Sequence, residues 1–327
     1  MARPDDCARP RFGRGPAASS PHPRRGQRHM SDLGSATLAP WTWLKAVRPT
    51  HWVKNLLVFA PLILAGQYLQ AHAWLGALVA FGALSAVASA GYLVNDIRDR
   101  HSDADHPVKR HRPFASGALD PIAGGVVAAG LIVLGAGGAG AWSLNLGLMV
   151  VVYIVGTTAY TSGFKREPVL DVFVLGALYM LRLAAGGAAT GAPLSPWFLA
   201  FSGLFFLSLA LAKRHTELRK QLDQGETPGR GYRPSDWPFT LSAGLGAGMG
   251  AVVVFLLYVA LNGGFAARTH AAWGLWAIGA VMSVWIFRLW FTAQRGELDY
   301  DPIVWAFRDP MSRVLGLIAA GFLAASL

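Results

Sequence analysis

The chain has 327 residues, 53% of them hydrophobic and only 14% charged, with a formal net charge of +11. Repeated apolar runs of membrane-crossing length place it among polytopic membrane proteins and exclude an ordinary soluble domain. The basic excess sits in an N-terminal tail and in alternate short loops, which argues against nucleic acid as a partner, and the lone Cys7 excludes a disulfide framework or a cysteine metal site.

Residues 1–40 are rich in Arg and Pro and contain no apolar stretch of signal-peptide type. They read as a disordered basic extension ahead of a membrane domain at 41–327, with Met30 an alternative start. From Trp52 onward nine apolar segments follow, at about 52–69, 73–97, 121–138, 143–161, 169–188, 196–213, 237–261, 271–292 and 310–326. Each approaches the ~20 residues that cross hydrocarbon, so an all-α bundle of nine transmembrane helices is expected. Gly130, Gly135, Gly137, Gly138, Gly244, Gly246 and Gly248 are read as sites of close helix packing. Trp41, Trp43 and Trp52 are read as interface anchors. Lys54 either snorkels to the interface or aims a cation at an anionic substrate.

The second segment ends in GYLVNDIRDRHSDADHPVKRHRPFASG, from Gly91 to Gly117. If its helix continues, Asp96, Asp99 and Asp103 share one face, since residues three and four apart are neighbours. Carboxylates on one stripe repel unless a cation joins them, and Mg²⁺ combines one or two carboxylates with substrate phosphates. Lys109, Arg110 and Arg112 follow at once, with the charge to hold phosphate. A solvated mixed-charge loop is the bland alternative. Membrane helices seldom carry acids without a use, which favours a magnesium-diphosphate site.

Further along, Tyr160, Lys165 and Arg166 end the fourth segment and Asp171 opens the fifth. Tyr160 and Lys165 serve either as belt residues or as part of the same polar end. Arg182 lies roughly 20 Å along the fifth segment at 1.5 Å per residue, and there needs a partner or a wet cavity. Lys213-Arg214-His215-Thr216-Glu217-Leu218 ends the sixth: Lys213 and Glu217 are spaced for a local ion pair, or Lys213 and Arg214 hold phosphate with Glu217 near a metal. His215 reads as a satisfied interfacial histidine. The Gly/Pro-rich loop GETPGRGYRPSDW has the composition of a substrate lid, with Arg230, Tyr232 and Arg233 able to touch phosphate. In DPIVWAFRDP, from Asp301 to Pro310, Asp309 reads as a helix cap. The Lys and Arg loops alternate with loops almost free of them, which predicts a cytoplasmic N-terminus, an outside C-terminus and a polar end facing the cytoplasm of an integral plasma-membrane protein.

The stretch NDIRDRHSD resembles the first aspartate-rich motif of the UbiA superfamily of intramembrane prenyltransferases. RPTHWVKN, AYTSGFK, LRLAAGG, LAKRHTEL and DPIVWAFRD resemble more closely its decaprenyl-phosphate phosphoribosyltransferase branch, over about Trp43 to the C-terminus. The resemblance implies nine helices around a central cavity, with Asn95, Asp96, Asp99 and Asp103 holding Mg²⁺ on a diphosphate. It also implies phosphoribosyl transfer from phosphoribosyl diphosphate to a polyprenyl phosphate, in a protein with the lipid bilayer as its surroundings; the sequence is compatible with a homo-oligomer and leaves the oligomeric state open. Aromatic prenyltransferases of the superfamily carry a second acidic motif where this chain has KRHTEL, with one acid and two bases. Fewer acids and more fixed cations suit a donor with an additional phosphate. Prenyl transfer to an aromatic acceptor is the alternative, and a non-enzymatic transporter or scaffold a more remote one.

Overall fold

A computed structural model of the chain describes residues 40–224, 231–261, 272–298 and 301–326. The basic extension with Cys7 and Met30, and the loop residues Arg230 and Arg268, lie outside the described residues.

Every regular element among the described residues is helical. In chain order these are α1 (Pro40–Val47), a 3-10 turn (Pro49–Phe59), α2 (Ala60–Leu64), α3 (Ala71–Arg98), α4 (Arg100–Ala104) and α5 (Pro121–Trp142). They continue with α6 (Leu144–Ser162), α7 (Leu170–Thr190), α8 (Pro196–Gln224), α9 (Trp237–Ala260), α10 (Ala272–Gln294), α11 (Pro302–Arg308) and α12 (Pro310–Ser326). Local chemistry sets several boundaries. Asp120 and Ser143 cap α5 and α6 by accepting from Ala123 N–H at 2.8 Å and Leu146 N–H at 3.2 Å.

Seven helices, α3 and α5 to α10, are long and apolar enough to cross a membrane. The expected first span is instead the 3-10 turn followed by the five-residue α2. Prolines at Pro49 and Pro61 remove backbone donors there, and the buried Asn55 donates to Ser85 Oγ at 3.0 Å, so this segment packs as a polar-anchored hairpin arm. The expected last span is α12, a 17-residue apolar helix.

The apolar interior divides in two around α7. Val172, Tyr179 and Leu183 face a core completed by α8, α9, α10 and α11, through residues such as Leu209, Val252, Trp290 and Trp305. Leu178, Ala185 and Ala189, on another face of the same helix, complete a core with Leu84, Val87, Leu146 and Val150 of α3 and α6. Gly186 lets the backbone of Val58 press directly on α7, where any side chain would collide with the Val58 carbonyl. The packing reading of the glycines holds at Gly135, Gly244 and Gly248. It does not hold at Gly130, Gly137, Gly138 and Gly246, where an added methyl group meets open space.

Candidate active site

The acidic stretch does not continue as one straight helix. α3 ends at Arg98, the backbone turns at Asp99 (φ −88°, ψ 1°), and α4 resumes at Arg100. Arg100 Nη1 donates to the Ile97 carbonyl at 3.1 Å and Ser102 Oγ to the Asp99 carbonyl at 2.9 Å, and both bonds stabilise the break. Bonds from Asp99 N–H to the Asn95 carbonyl and from Asp103 N–H to the Asp99 carbonyl, both 2.9 Å, carry the helical register past the break, while the three carboxylates differ in exposure. Asp96 and Asp103 are buried, whereas Asp99 is exposed and Asn95 half-buried.

Two arginines hold the buried pair. Arg48 Nη2 donates to both oxygens of Asp96, at 2.7 and 2.6 Å. Arg112 Nη1 bridges Asp96 Oδ1 at 3.2 Å and Asp103 Oδ2 at 2.7 Å. Arg48 reaches its partner from a left-handed backbone (φ 52°) at the start of the 3-10 turn, and its guanidinium lies 5.1 Å over the Tyr92 ring. A non-glycine residue in that conformation is held by its surroundings.

Among the described residues no three His, Cys, Asp or Glu side chains form a metal cage. Oxygens of Asp96 and Asp103 do lie within hydrogen-bond distance of one positively charged nitrogen, that of Arg112. Such a pair fits a magnesium ion whose remaining oxygens come from a substrate's phosphates and from water, and does not fit an ion enclosed by protein alone.

The second charged group is assembled by residues far apart in sequence. Asp301 Oδ2 accepts from Lys54 Nζ at 2.6 Å, and Tyr179 Oη lies 3.2 Å from each Asp301 oxygen. Lys213 Nζ stands 3.6 Å from the same carboxylate. Burial pushes the Asp301 carboxyl up, but the Lys54 and Lys213 charges outweigh it and hold the pKa down to about 2. His51 connects the two groups. Its Nδ1 lies 3.3 Å from Tyr92 Oη, and partial burial with the charges of Lys54 and Arg48 pushes its pKa down to about 4. Arg48 leads into the short 3-10 segment that carries His51 and Lys54, and the Tyr92 ring lies against both Arg48 and His51, so the Asp96 and Asp301 groups meet along that segment.

Arg182 lies one layer deeper and is fully engaged. Its Nε donates to Asn55 Oδ1 at 3.0 Å, Nη1 to the Leu178 carbonyl at 2.5 Å and Nη2 to Tyr153 Oη at 2.9 Å. These bonds supply the partners that a guanidinium at this depth needs. Arg214 is likewise buried, at 1% side-chain exposure. Its Nε lies 2.8 Å from Asp171 Oδ2, a charge contact rather than an aligned hydrogen bond, and its Nη1 pairs with Glu217. Tyr160 Oη lies 3.5 Å from Arg214 Nη2. Lys213 turns to Asp301 and Glu217 to Arg214, which replaces the expected Lys213–Glu217 pair.

Tyr232 is buried and donates to Asp171 Oδ1 at 2.9 Å while accepting from Val169 N–H at 2.7 Å. The expected phosphate contact from Tyr232 is therefore replaced by a clamp between the loop before α9 and the start of α7. Arg233 starts the turn into α9, where its N–H donates to Asp236 at 2.8 Å. Lys109 and Arg110 are exposed beside Arg112, and Lys165 is half-buried on a short turn after α6. His215 is the satisfied histidine expected, with its ring nitrogens 2.9 Å from Thr240 Oγ1 and 2.7 Å from Gln294 Oε1. Asp309 caps α12 by accepting from Ser312 N–H at 2.7 Å, and Arg288 donates to it at 3.0 Å. Sequence reasoning missed Arg48 and Asp301. Arg48 had a signal, since it directly precedes the Pro-Thr-His-Trp-Val-Lys-Asn run; Asp301 opens the DPIVWAFRDP stretch, in which only Asp309 reads as having a role.

The sequence matches the UbiA prenyltransferase family over residues 55–309. This chain belongs to that family. As a UbiA-family transferase it is an integral membrane protein with multiple helical spans, and magnesium is bound in homologous structures. It is 38% identical to nodulation protein NoeC of Azorhizobium caulinodans, over 84% of this chain and 91% of that protein. It is also 38% identical to uncharacterized protein y4nM of Sinorhizobium fredii, over 86% of this chain and 55% of that one. With the decaprenyl-phosphate phosphoribosyltransferase of Mycobacterium tuberculosis it shares 42% identity over 54% of this chain and 59% of that enzyme. The chain thus spans little more than half the length of y4nM and of the mycobacterial enzyme. Among solved structures, a UbiA homolog from Archaeoglobus fulgidus bound to GPP and Mg²⁺ superposes with a TM-score of 0.62 at 17% identity, covering 87% of this chain and 98% of that one. A digeranylgeranylglyceryl phosphate synthase structure gives 0.61 at 15% identity, over 88% and 98%. At these identities the likeness establishes the shared fold.

Proposed function

We propose that this UbiA-family transferase moves 5-phosphoribosyl from phosphoribosyl diphosphate to a polyprenyl phosphate of decaprenyl type and releases diphosphate. The observation that carries the reading is the charge balance at the polar end. Two carboxylates, Asp96 and Asp103, form the metal-binding pair, while Arg48, Arg112, Lys54 and Lys213 stand around it and beside Asp301. The four cations outnumber the three carboxylates Asp96, Asp103 and Asp301 by one, and cations placed beside Asp301 as well as beside the metal-binding pair suit a donor with a further phosphate. The identity to the mycobacterial phosphoribosyltransferase supports the same reading.

Asp96 and Asp103, with Asn95 and Asp99 beside them, would hold Mg²⁺, which supplies positive charge to the leaving diphosphate. Arg48 and Arg112 turn from the carboxylates to phosphate oxygens. Lys54 and Lys213 hold the donor at its other end, and the exposed Lys109, Arg110 and Lys165 draw it in. Tyr160, Arg182, Arg214 and Glu217 position these groups from beneath. An anionic oxygen of the polyprenyl phosphate attacks C1 of the pentose. The C1–O bond breaks with its electron pair going to diphosphate, and no protein base is required because the nucleophile is already ionised. The reaction inverts C1. The acceptor's tail lies in the bilayer and the polar end faces the cytoplasm.

Purified protein with Mg²⁺ and polyprenyl phosphate, given labelled phosphoribosyl diphosphate, should form a labelled lipid. Labelled prenyl diphosphate with an aromatic acid should form none, and the reverse result assigns the chain to prenyl transfer. A cysteine introduced at His101 should react with impermeant reagents from the cytoplasmic side of vesicles only.

A further inference from the structure

Asp301 carries more than its helix requires. As the residue ahead of α11 it needs only to accept from Ile303 N–H, which it does at 3.3 Å. Two further donors, Lys54 and Tyr179, converge on the same carboxylate from the 3-10 turn and α7, and the Lys213 ammonium stands 3.6 Å away on α8. The carboxylate is thus fixed from four directions, yet 11% of the side chain remains open and Lys213 beside it is 35% exposed. Even paired with Lys54 and Lys213, an ionised acid at the open face of a site built for phosphates favours a ligand that brings it a partner of its own. An ionised carboxylate only accepts hydrogen bonds, so the partner must be a donor. An isoprenoid diphosphate offers no such group outside its diphosphate. A phosphorylated pentose offers ring hydroxyls, and its separate phosphate finds the adjacent Lys213.

Resting on the phosphoribosyl reading above, we propose that Asp301 accepts hydrogen bonds from the ring hydroxyls of the donor pentose and is the residue by which this site selects a sugar diphosphate over an isoprenoid one. Tyr179 acts on the substrate through it, as a positioning residue. A hydroxyl bonded to a buried charge that cannot be replaced by water discriminates strongly against an analogue lacking it.

The experiment compares phosphoribosyl diphosphate with its 2-deoxy and 3-deoxy analogues, using the full chain in lipid nanodiscs with Mg²⁺ and polyprenyl phosphate. For the unaltered protein, removal of the hydroxyl that meets Asp301 should lower kcat/KM about 10- to 100-fold. Asp301→Asn keeps the acceptor for Ile303 and should cut that ratio to within about threefold of unity, with the loss falling on the ribosyl donor. Equilibrium binding of the three donors, without acceptor, gives the same ratios if the variant turns over too slowly. Equal use of all three donors by the unaltered protein overturns the proposal without any variant, as does an unchanged ratio in D301N. Absence of phosphoribosyl transfer by the unaltered protein overturns the functional reading itself, so the two failures are distinct.

Discussion

Two arginine–carboxylate groups at the same end of the bundle are built to opposite specifications. Around Asp96 the guanidiniums of Arg48 and Arg112 retain 24% and 31% exposure, whereas Arg214 against Asp171 retains 1% and its partner none. An arginine that still touches water can release its carboxylate and be resolvated at little expense. One sealed beside Asp171 cannot, because separating a buried pair strands a charge. The first group is therefore suited to exchanging partners when a metal and a phosphate arrive, and the second to holding helices α7 and α8 in place.

The contrast can be broken by single substitutions. Asp96→Asn should reduce transfer roughly a thousand-fold while leaving the melting temperature in detergent nearly unchanged; a variant that unfolds instead would put Asp96 with Asp171. Asp171→Asn should do the reverse, lowering unfolding free energy by about 3 kcal/mol because Arg214 loses its buried counter-charge, with the folded fraction retaining activity. Arg112→Gln should raise the donor KM about tenfold with little change in stability, as read by steady-state kinetics beside a thermal melt. Tyr232→Phe removes the donor to Asp171 and the acceptor for Val169 N–H, and should lower stability by about 1 kcal/mol.

The smallest effect expected is a pH dependence that is absent. Asp301 has a folded-state pKa of about 2 against an ordinary carboxylate value of 3.8, so its pairing with Lys54 stabilises the fold fully above the ordinary value and is lost as pH falls through the depressed one. The gap in melting temperature between D301N and the unaltered protein should stay constant from about pH 5 to 7 and narrow only as pH rises through about 8, where burial brings the Lys54 pKa and Lys54 loses its charge. A gap that closes as pH falls from about 7 to 5 would mean that Asp301 is protonated near neutrality.

Much of this organisation was legible in the sequence where it depends on local pattern. Apolar length gave the seven long helices, and the spacing of Asp96, Asp99 and Asp103 gave the acidic element. His215 and Asp309 took the structural roles their positions predicted. Local pattern also misled. The helical spacing of three aspartates gave no sign that Asp99 is exposed while Asp96 and Asp103 are buried, and the apolar stretch from Trp52 became a 3-10 turn and a short helix because prolines and the buried Asn55 interrupt it. What could not be read were the long-range pairings. Lys54 and Asp301 are 247 residues apart and Arg48 and Asp96 are 48 apart, so only the packing of α3, α7 and α11 against the 3-10 turn brings them together.

The placement of α7 in both apolar cores has a bearing on how the chain assembles during synthesis. Before α7 emerges, Leu84, Val87, Leu146 and Val150 form a cleft with one wall missing. Once α7 fills it, the face bearing Val172, Tyr179 and Leu183 waits for α8 to α11. The second half is thus templated on the first, and neither can be inserted as a finished module. A chain cut short ahead of residue 170 should linger as a substrate for membrane quality control, however well its early helices insert.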